Sequence, residues 1–434
     1  MKQFILGFFS LYSFCSISAQ SINKIIKEKE VRRIEKILSA DDMQGRATFT
    51  PGIEKASAFI EAEFKKIGLK PFNGAGNFRQ EFFMYQSKTQ AAKVIIDGNT
   101  IADSLLACFS YLPKAAFTEK SEIEMVKINK GDKFGPKFYQ YYQSKKILLV
   151  MVDTVFRSQL KNLKKMERVS AEPGKNAVVF VMDNGAANTF SIELTSQLIQ
   201  KPLNNVVGVL PGKSKQGEYV VFSGHYDHLG ISKRGDGESD NDKDSIYNGA
   251  NDDAAGTTAV IMLAKYFKKM NNNERSIIFT AFVAEETGGF GSKYFSKQLA
   301  PEKVMAMFNI EMIGTESKWG NNSAYITGFE KTDLGAILQK NLKGSAFNFY
   351  PDPYPDQQLF YRSDNATLAR LGVPAHTIST SKMDSEANYH KVSDEIGTLD
   401  MKNMTAIIKA IAVSSVSIIS GADTPSRVDA TKLK

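Results

Sequence analysis

The sequence predicts an α/β protein whose central sheet is mostly parallel and flanked by helices, with an inserted β-rich domain. In residues 204–425, apolar runs of strand length alternate with helical patterns, as the strands and crossover helices of a parallel sheet do. In residues 90–203, short β-type runs are instead separated by polar loops. The chain has 434 residues, of which 42% are hydrophobic, so it can bury the cores of both parts.

Residues 1–19 have the features of an export signal. Lys2 precedes an apolar stretch, and small residues precede Gln20. The apolar stretch is shorter than the roughly 20 residues that a membrane span needs, which argues against an anchor helix. We therefore expect a signal peptide cleaved near Ala19, a periplasmic or secreted mature chain, and no stable membrane span.

Composition excludes several other classes of partner. After cleavage Cys108 would be the remaining cysteine, so no intramolecular disulfide is expected. The formal charge is +8, but lysines and arginines alternate with acids along the chain, and no RNA-binding motif occurs. We interpret the charge as a solvated basic surface and expect no nucleic-acid partner. No oligomeric state is inferred.

Residues 20–89 are predicted to begin the α/β domain with two helical segments, "KEVRRIEKILSADDMQGR" and "GIEKASAFIEAEFKKIGLKP". The second segment repeats apolar residues at helical spacing and ends near Gly68 and Pro71. These apolar residues are Ala56, Phe59, Ile60 and Phe64.

Within residues 90–203, strands are predicted in "AAKVIIDG", "KKILLVMVD" and "NAVVFVMDNG", and one helix in "FRSQLKNLKKM". Beyond residue 204, strands are predicted in "YVVFSG", "RSIIFTAFVA", "MAMFNIEMIG" and "PAHTIST". Helices are predicted in "AAGTTAVIMLAKYFKKM" and after "GGFGSKYF", and residues 426–434 are predicted to be a C-terminal tail. Open sheets of this kind bind ligands beyond the carboxyl ends of their strands.

Acidic and imidazole side chains follow these predicted strands, where packing alone has no use for them. They are His225 and Asp227 after the first strand, Glu285 and Glu286 after the second, Glu311 after the third, Asp252 and Asp253 before the long helix, and His390 in a loop after the last strand.

Each of these features also has a purely structural explanation. An Asp pair before a helix is usually an N-cap, a Glu pair is usually a solvated loop, and a single histidine usually makes structural hydrogen bonds. Together, however, these groups would meet in one cleft and repel or titrate unless a cation lay between them. Histidine and carboxylate ligands without thiolates favour zinc, or a similar first-row metal, over calcium.

The spacing of the residues separates their roles. In "HYD", residues two apart on an extended segment share a face, so His225 can bind a metal while Asp227 orients its ring. In "EE", adjacent side chains diverge, so one carboxylate can bind metal while the other serves as a general base. Two metal ions in such a cleft can activate a water and polarise a carbonyl.

The motifs "GHYDHLG", "GANDDAAG", "FVAEETGGFGS", "NIEMIG" and "YHKVSD" together resemble the di-zinc peptidases of family M28. That family includes bacterial leucyl-type aminopeptidases and glutamate carboxypeptidase II. The resemblance covers residues 33–75 and 204–425 and implies a zinc-exopeptidase, phosphorylase/hydrolase-like fold. Residues 90–203 loosely resemble the protease-associated domain often inserted there, and we expect them to form a lid beside the cleft.

The resemblance implies a ligand set for two zinc ions. His225 binds one ion, Asp252 bridges both, and Glu286 and His390 bind the other. Glu311 stands where most members of the family have Asp, and we expect it to bind with His225. Its extra methylene predicts that the metal at this position is the more weakly held of the two.

The resemblance also implies the catalytic groups. Glu285 is the base that takes a proton from the bridging water, and Asp227 supports the first histidine ligand. Tyr389 matches a tyrosine that steadies the oxyanion in some members. His228 is not a ligand of the family, and His376, inside an apolar strand, is expected in the core.

These roles predict an exported zinc-dependent exopeptidase, with an aminopeptidase favoured. The alternatives are a carboxypeptidase or dipeptidase of the same family, a glutaminyl cyclase with one zinc, and a non-catalytic binding module. The complete ligand set and the retained base argue against the last two. A free amine would need an acid and a free carboxylate would need a cation. The candidates are Glu285, Asp240 and Asp242 for the first and Arg234, Arg362 and Lys382 for the second.

Overall fold

A computed structural model of the chain describes residues 22–163, 166, 168–183, 185, 187–232 and 244–434. The expected signal peptide lies outside the described residues, as do Arg234, Asp240 and Asp242. None of the helices in this described part combines the length and the apolar character that crossing a membrane requires.

The strands and helices of the described residues are numbered in chain order. The strands are β1 (Lys70–Pro71), β2 (Arg79–Ile96), β3 (Asn99–Thr100), β4 (Leu106–Ser110), β5 (Lys114–Thr118), β6 (Glu124–Ile128), β7 (Leu148–Val152), β8 (Arg168–Ser170), β9 (Ala177–Met182), β10 (Phe190–Leu210), β11 (Lys215–His225), β12 (Gly230–Ile231), β13 (Ile246–Tyr247), β14 (Arg275–Phe282), β15 (Val304–Ile310), β16 (Ser323–Ile326), β17 (Asn348–Pro351) and β18 (Ala375–Ser379). The helices are α1 (Glu28–Leu38), α2 (Pro51–Ile67), α3 (Phe134–Tyr142), α4 (Arg157–Leu163), α5 (Ala255–Met270), α6 (Phe290–Ser296), α7 (Leu334–Leu342), α8 (Asn365–Ala369), α9 (Met401–Ser414) and α10 (Val416–Ile419).

The described chain divides into two compact units. One comprises residues 22–81 and 203–434, and the other comprises residues 82–202. The sequence places the first boundary at residue 90, but β2 runs without interruption from Arg79 to Ile96 and so crosses that point.

The first unit is built on a sheet with the strand order β17-β16-β18-β15-β11-β14-β10. The four inner strands β18, β15, β11 and β14 are parallel to one another, whereas β16 is antiparallel to β18 and β10 is antiparallel to β14. Every residue of β14 is buried, as expected for a strand that helices cover on both faces. The predicted mostly parallel α/β sheet is therefore confirmed.

Aromatic packing fixes α5 against the centre of this sheet. The ring of Phe222 in β11 stacks on Phe267 of α5 and on Phe279 and Phe308 in the two flanking strands, with centroids 5.0–5.8 Å apart. These contacts fix the C-terminal part of α5 on the face of the sheet.

The N-terminal helical segment is interrupted where the sequence predicts a continuous helix. Helix α1 ends at Leu38, and a 3-10 segment, Asp41–Arg46, follows with Gln44 and Gly45 in the left-handed region. A Cβ on Gly45 would lie 2.4 Å from the carbonyl oxygen of Gly230, so the backbones approach closely there. Helix α2 ends at Ile67 with Gly68 as its C-cap, in agreement with the predicted end near Gly68.

The second unit contains a four-stranded sheet in the order β4-β9-β7-β6. Helix α4 occurs where the sequence predicts it, but α3 is not predicted. Its Pro136 lies in the first turn, where proline is tolerated, and Phe138 packs its ring on Phe109 and Phe180.

The predicted C-terminal tail is packed against the first unit. Arg427 donates a hydrogen bond to the carbonyl oxygen of Val304 at 2.7 Å, and Val428 is buried.

Candidate metal centre

Three parallel strands end at the same edge of the sheet, and each is followed by a group that the sequence singles out. His225 is the last residue of β11, Glu285 follows β14 by three residues, and Glu311 directly follows β15. Because neighbouring parallel strands bring their carboxyl ends together, these side chains converge. The loop before α5 adds Asp252 to the same place, and a loop after β18 adds His390.

Asp252 lies between two imidazoles. Its Oδ1 is 3.2 Å from His225 Nε2, and its Oδ2 is 3.3 Å from His390 Nε2. His390 Nε2 is also 3.2 Å from Glu286 Oε2. One carboxylate is therefore shared between two histidines, which is the position that a bridging ligand needs.

The ligand atoms form two clusters that have Asp252 in common. In the first, ligand atoms of His225, Asp252 and Glu311 all lie within 4.8 Å of one another. In the second, the same holds for Asp252, Glu286 and a histidine that the sequence did not assign, His228.

The residues present fit a pair of zinc ions. Zinc binds nitrogen and oxygen at about 2.0–2.2 Å, so two ligands of a tetrahedral ion are separated by roughly 3.3 Å. The three nitrogen–oxygen distances around Asp252 and His390 match this separation. His225 Nε2 and Glu311 Oε2 are also buried without a hydrogen-bond partner among the described residues, a costly state that a cation relieves.

The pKa shifts of the buried acids also favour a cation at this centre. Burial raises the pKa of Glu311 to about 7 and that of Asp227 to about 7, although the charge of His225 opposes both shifts. Burial also disfavours the ionised form of Asp252, but the imidazoles of His225 and His390 outweigh it and lower the pKa of this carboxyl. The centre thus concentrates negative charge at the shared ligand.

Two further acids hold the loop that carries Asp252. The carboxylate of Asp394 accepts hydrogen bonds from the backbone N–H groups of Asn251 and Asp252, at 2.8 and 3.0 Å. Asp253 accepts from the backbone N–H groups of His225 and Met312, at 3.1 and 3.0 Å. Asp253 therefore ties the ends of β11 and β15 to the start of α5.

Arg46 anchors the same loop from the N-terminal side. The side chain is fully buried, and its guanidinium donates to the backbone oxygens of Leu38, Tyr226, Asn248 and Gly249, at 2.6–2.9 Å. It connects the 3-10 segment to the end of β11 and to the turn before Asp252.

Asp227 contacts the centre differently from the sequence-based expectation. His225 Nδ1 is 3.1 Å from the backbone oxygen of Asp227, whereas the Asp227 carboxylate is 3.8 Å away. That carboxylate instead accepts hydrogen bonds from the backbone N–H groups of Glu285 and Glu286, at 3.1 and 3.3 Å. Its main chain thus orients the histidine, and its side chain fixes the Glu pair.

Glu285 lies just beyond the end of β14, where the charges of His225 and Glu311 act on it. Burial raises the pKa of its carboxyl well above the ordinary range, the charge of His225 opposes the shift, and Glu311 adds to it. A carboxyl with a raised pKa holds a proton more readily than an ordinary one, which suits a general base.

A small pocket adjoins the centre. Glu311, Arg362 and Tyr389 line it, together with the apolar side chains of Leu359 and Met383. The Tyr389 ring stacks on His390, with centroids 4.0 Å apart, and its hydroxyl accepts a long hydrogen bond of 3.5 Å from Arg362. Burial raises the pKa of this phenol, so it remains a proton donor.

Sequence reasoning missed three residues that support the centre: His228, Arg46 and Asp394. Two of them stand in motifs that were recognised, since His228 belongs to "HYDHLG" and Asp394 ends "YHKVSD". Arg46 closes "DMQGR". Their position in these strings was the available signal, but their partners lie far away in the sequence.

His376 is a core residue, as predicted. Its Nδ1 lies 2.8 Å from the backbone oxygen of Thr327, and its Nε2 lies 2.8 Å from Thr332 Oγ1. Burial lowers its pKa to about 4.

A parallel sheet with two histidine–carboxylate clusters beyond the ends of its strands is an arrangement that can hold a pair of metal ions. Residues 205–415 match the model of peptidase family M28. This segment makes up just under half of the chain.

Sequence relatives agree with this match over short segments. Aminopeptidase YwaD of Bacillus subtilis is 28% identical over 140 residues, which are 31% of this chain and 27% of that protein. The vacuolar membrane protease of Schizosaccharomyces pombe is 27% identical over 160 residues, which are 37% of this chain and 16% of that protein. These matches therefore span about a quarter or less of each relative.

Solved structures share the fold over nearly the whole chain. An aminopeptidase from Aneurinibacillus sp. strain AM-1 has a TM-score of 0.54 at 17% identity, over 92% of this chain and 95% of that one. A zinc aminopeptidase from Bacillus subtilis, BSAP, has a TM-score of 0.54 at 15% identity, over 93% of this chain and 98% of that one.

Proposed function

We propose that this protein is an exported, zinc-dependent exopeptidase that removes residues from the amino terminus of peptides. The observation that carries the proposal is Asp252, a buried carboxylate shared by two histidine–carboxylate clusters beside the buried acid Glu285. The two related structures described as aminopeptidases support the choice of terminus.

His225, Asp252 and Glu311 would hold one zinc ion, and Asp252, Glu286 and His390 would hold the other. When bound, the two ions would polarise the scissile carbonyl and lower the pKa of a water.

Two side chains of the protein then handle the protons of the reaction: one transfers a proton and the other donates a hydrogen bond. Glu285 accepts a proton from the attacking water and delivers it to the leaving amine, for which its raised pKa suits it. Tyr389, still protonated, donates a hydrogen bond to the oxyanion that develops on the substrate.

The small pocket beside Glu311 adjoins the candidate metal ligands and is lined in part by apolar side chains. Arg362 supports a second candidate, a carboxypeptidase or dipeptidase. Its guanidinium lines this pocket close to the Tyr389 hydroxyl and could bind a free carboxylate.

The test compares the hydrolysis of aminoacyl-anilides with that of N-blocked dipeptides, with the zinc content measured on the same preparation. Faster hydrolysis of the anilides supports an aminopeptidase. Preference for the blocked dipeptides, with a loss of that preference in Arg362→Gln, would identify a carboxypeptidase. Zinc-loaded protein that hydrolyses neither would rule out the exopeptidase proposal.

Export rests on residues 1–19 alone, which lie outside the described residues. Sequencing the amino terminus of the mature protein after expression with its full leader tests it, and we expect the mature chain to begin at Gln20.

A further inference from the structure

We propose that His228 is a positioning residue of the metal centre. It holds one oxygen of Glu286 and thereby leaves the other as the single oxygen that faces the metal. This inference rests on the proposed function, because it requires a metal at Glu286.

The two carboxylate oxygens of Glu286 have different partners. Oε1 is 2.7 Å from His228 Nδ1, whereas Oε2 is 3.2 Å from His390 Nε2. An ionised carboxylate only accepts hydrogen bonds, so His228 Nδ1 must carry the proton of this contact.

The distance between His228 and Glu286 distinguishes a positioning residue from a metal ligand. Two ligands of one tetrahedral zinc ion are separated by roughly 3.3 Å, because each lies at about 2.0–2.2 Å from the ion. The pair formed by His390 and Glu286 matches that separation, whereas the 2.7 Å between His228 and Glu286 is a charge-assisted hydrogen bond. His228 Nδ1 therefore hydrogen-bonds Glu286 and does not share an ion with this oxygen.

The surroundings of His228 hold its ring in one place. The side chain is completely buried, and its backbone N–H donates to the carbonyl oxygen of Arg46 at 3.3 Å. The ring packs on Gly249, where a Cβ would lie 2.5 Å from the imidazole Cδ2. Three segments distant in sequence thus form the slot for this imidazole.

Glu286 is consequently fixed at both ends. Its backbone N–H is held by the Asp227 carboxylate, and its Oε1 is held by His228. A carboxylate fixed in this way loses little rotational freedom when a metal binds to Oε2, and supporting groups of this kind are typically worth about 10–100-fold in metal affinity.

The experiment uses the full chain loaded with zinc and three variants. His228→Leu removes the hydrogen bond, and His228→Asn keeps a donor where Nδ1 stands. His376→Asn is the matched control, because it alters a buried histidine that binds Thr327 and Thr332 away from the centre. A chelator of graded strength reports the affinity of each site, and cobalt(II) absorption reports the ligand set.

We expect His228→Leu to weaken one of the two zinc sites by about 10–100-fold. His228→Asn should stay within a few-fold of the unaltered protein and give the same cobalt spectrum, and His376→Asn should bind both ions normally.

Wild-type affinity in His228→Leu would overturn the proposal. Equal losses in the Leu and Asn variants, with an altered cobalt spectrum, would also overturn it and make His228 a direct ligand.

If the Leu variant does not fold, His228→Gln replaces it, because its amide reaches the position of Nε2 rather than Nδ1. Affinity kept by Asn and lost by Gln then supports the proposal, and equal affinity in both contradicts it. Failure of the proposed function is a separate result, since the unaltered protein would then bind no zinc.

Discussion

Glu285 and Glu286 are adjacent in the chain, and one carboxylate, that of Asp227, binds both of their backbone N–H groups. Their side chains nevertheless meet different partners. Glu286 lies between two imidazoles, whereas the charges that act on Glu285 include those of His225, Glu311 and Asp364. We propose that the pair combines a metal ligand, Glu286, with a general base, Glu285, and substitutions should separate the two roles.

We expect Glu285→Gln to lower turnover by about 10²–10⁴-fold, because the amide cannot accept the proton of the attacking water. Its zinc content should remain close to that of the unaltered protein. The matched variant Glu286→Gln should lose zinc. Measuring turnover and bound zinc on both variants decides the assignment, and the opposite pattern would exchange the two roles.

Glu311 reaches the centre with one more methylene than Asp would have. Its Oε2, like His225 Nε2, is buried without a hydrogen-bond partner among the described residues, but the longer side chain must fold back to reach the same ion. We expect the ion at His225, Asp252 and Glu311 to leave first during stepwise chelation. Glu311→Asp should lower the occupancy further, because the backbone is set for the longer side chain. Simultaneous loss of both ions, with a neutral Glu311→Asp, would contradict this prediction.

At the scale of secondary-structure elements, α1 and α5 meet through a buried acid. Glu35 of α1 accepts a hydrogen bond of 2.8 Å from Thr258 of α5, and its other oxygen has no hydrogen-bond partner among the described residues. Burial raises the pKa of Glu35 to about 8 from 4.5, although Thr258 and the charge of Arg46 oppose the shift.

This raised pKa predicts a pH-dependent stability. Between pH 4.5 and about 8 the unfolded chain releases a proton that the folded chain retains, so the free energy of unfolding falls as the pH rises. Glu35→Gln removes this loss, and relative to the unaltered protein it should gain up to a few kcal/mol across that window. Denaturant unfolding at several pH values measures it, with the exposed Glu28→Gln as the control. Parallel pH profiles for Glu35→Gln and the unaltered protein would show that Glu35 ionises normally.

The elements around the site were predictable because each ligand follows an apolar strand or precedes a long helix. The supporting contacts were not. Arg46 binds four backbone oxygens, and the acid of Asp394 binds two backbone N–H groups. Because nearly every residue type offers the same backbone N–H and C=O groups, the sequence does not show which residues such side chains bind. The contact between His228 and Glu286 joins two loops 58 residues apart, which no local pattern encodes.

At the scale of the whole molecule, the sheet was predictable from its buried strands, but the extent of each unit was not. The first boundary between the two units lies inside β2, which runs without interruption from Arg79 to Ile96. Helix α3 was missed because its Gly-Pro start favours a turn, whereas aromatic packing on the adjoining sheet stabilises the helix.

A binding site that exists in the folded chain alone should make stability depend on zinc. We expect zinc to raise the midpoint of thermal unfolding and chelation to lower it, since a ligand at about 100 times its Kd adds about 2.7 kcal/mol. Scanning calorimetry with and without zinc measures the shift. Asp252→Asn, which weakens the ligand common to both clusters, should reduce the response. An unchanged midpoint in the unaltered protein would show that no ion binds.

Asp253 joins the ends of β11 and β15 to the start of α5, so the candidate metal centre forms only when these distant segments have come together. This requirement affects whether folding or metal binding comes first. The ligands are spread from residue 225 to residue 390, and no short peptide within that span carries a complete chelating set. Closing such long loops is slow and entropically unfavourable until the sheet has assembled. We therefore expect the nascent chain to bind zinc weakly during synthesis, and the protein to acquire the proposed metal ions after it folds. Its metal content would then depend on the compartment in which folding finishes.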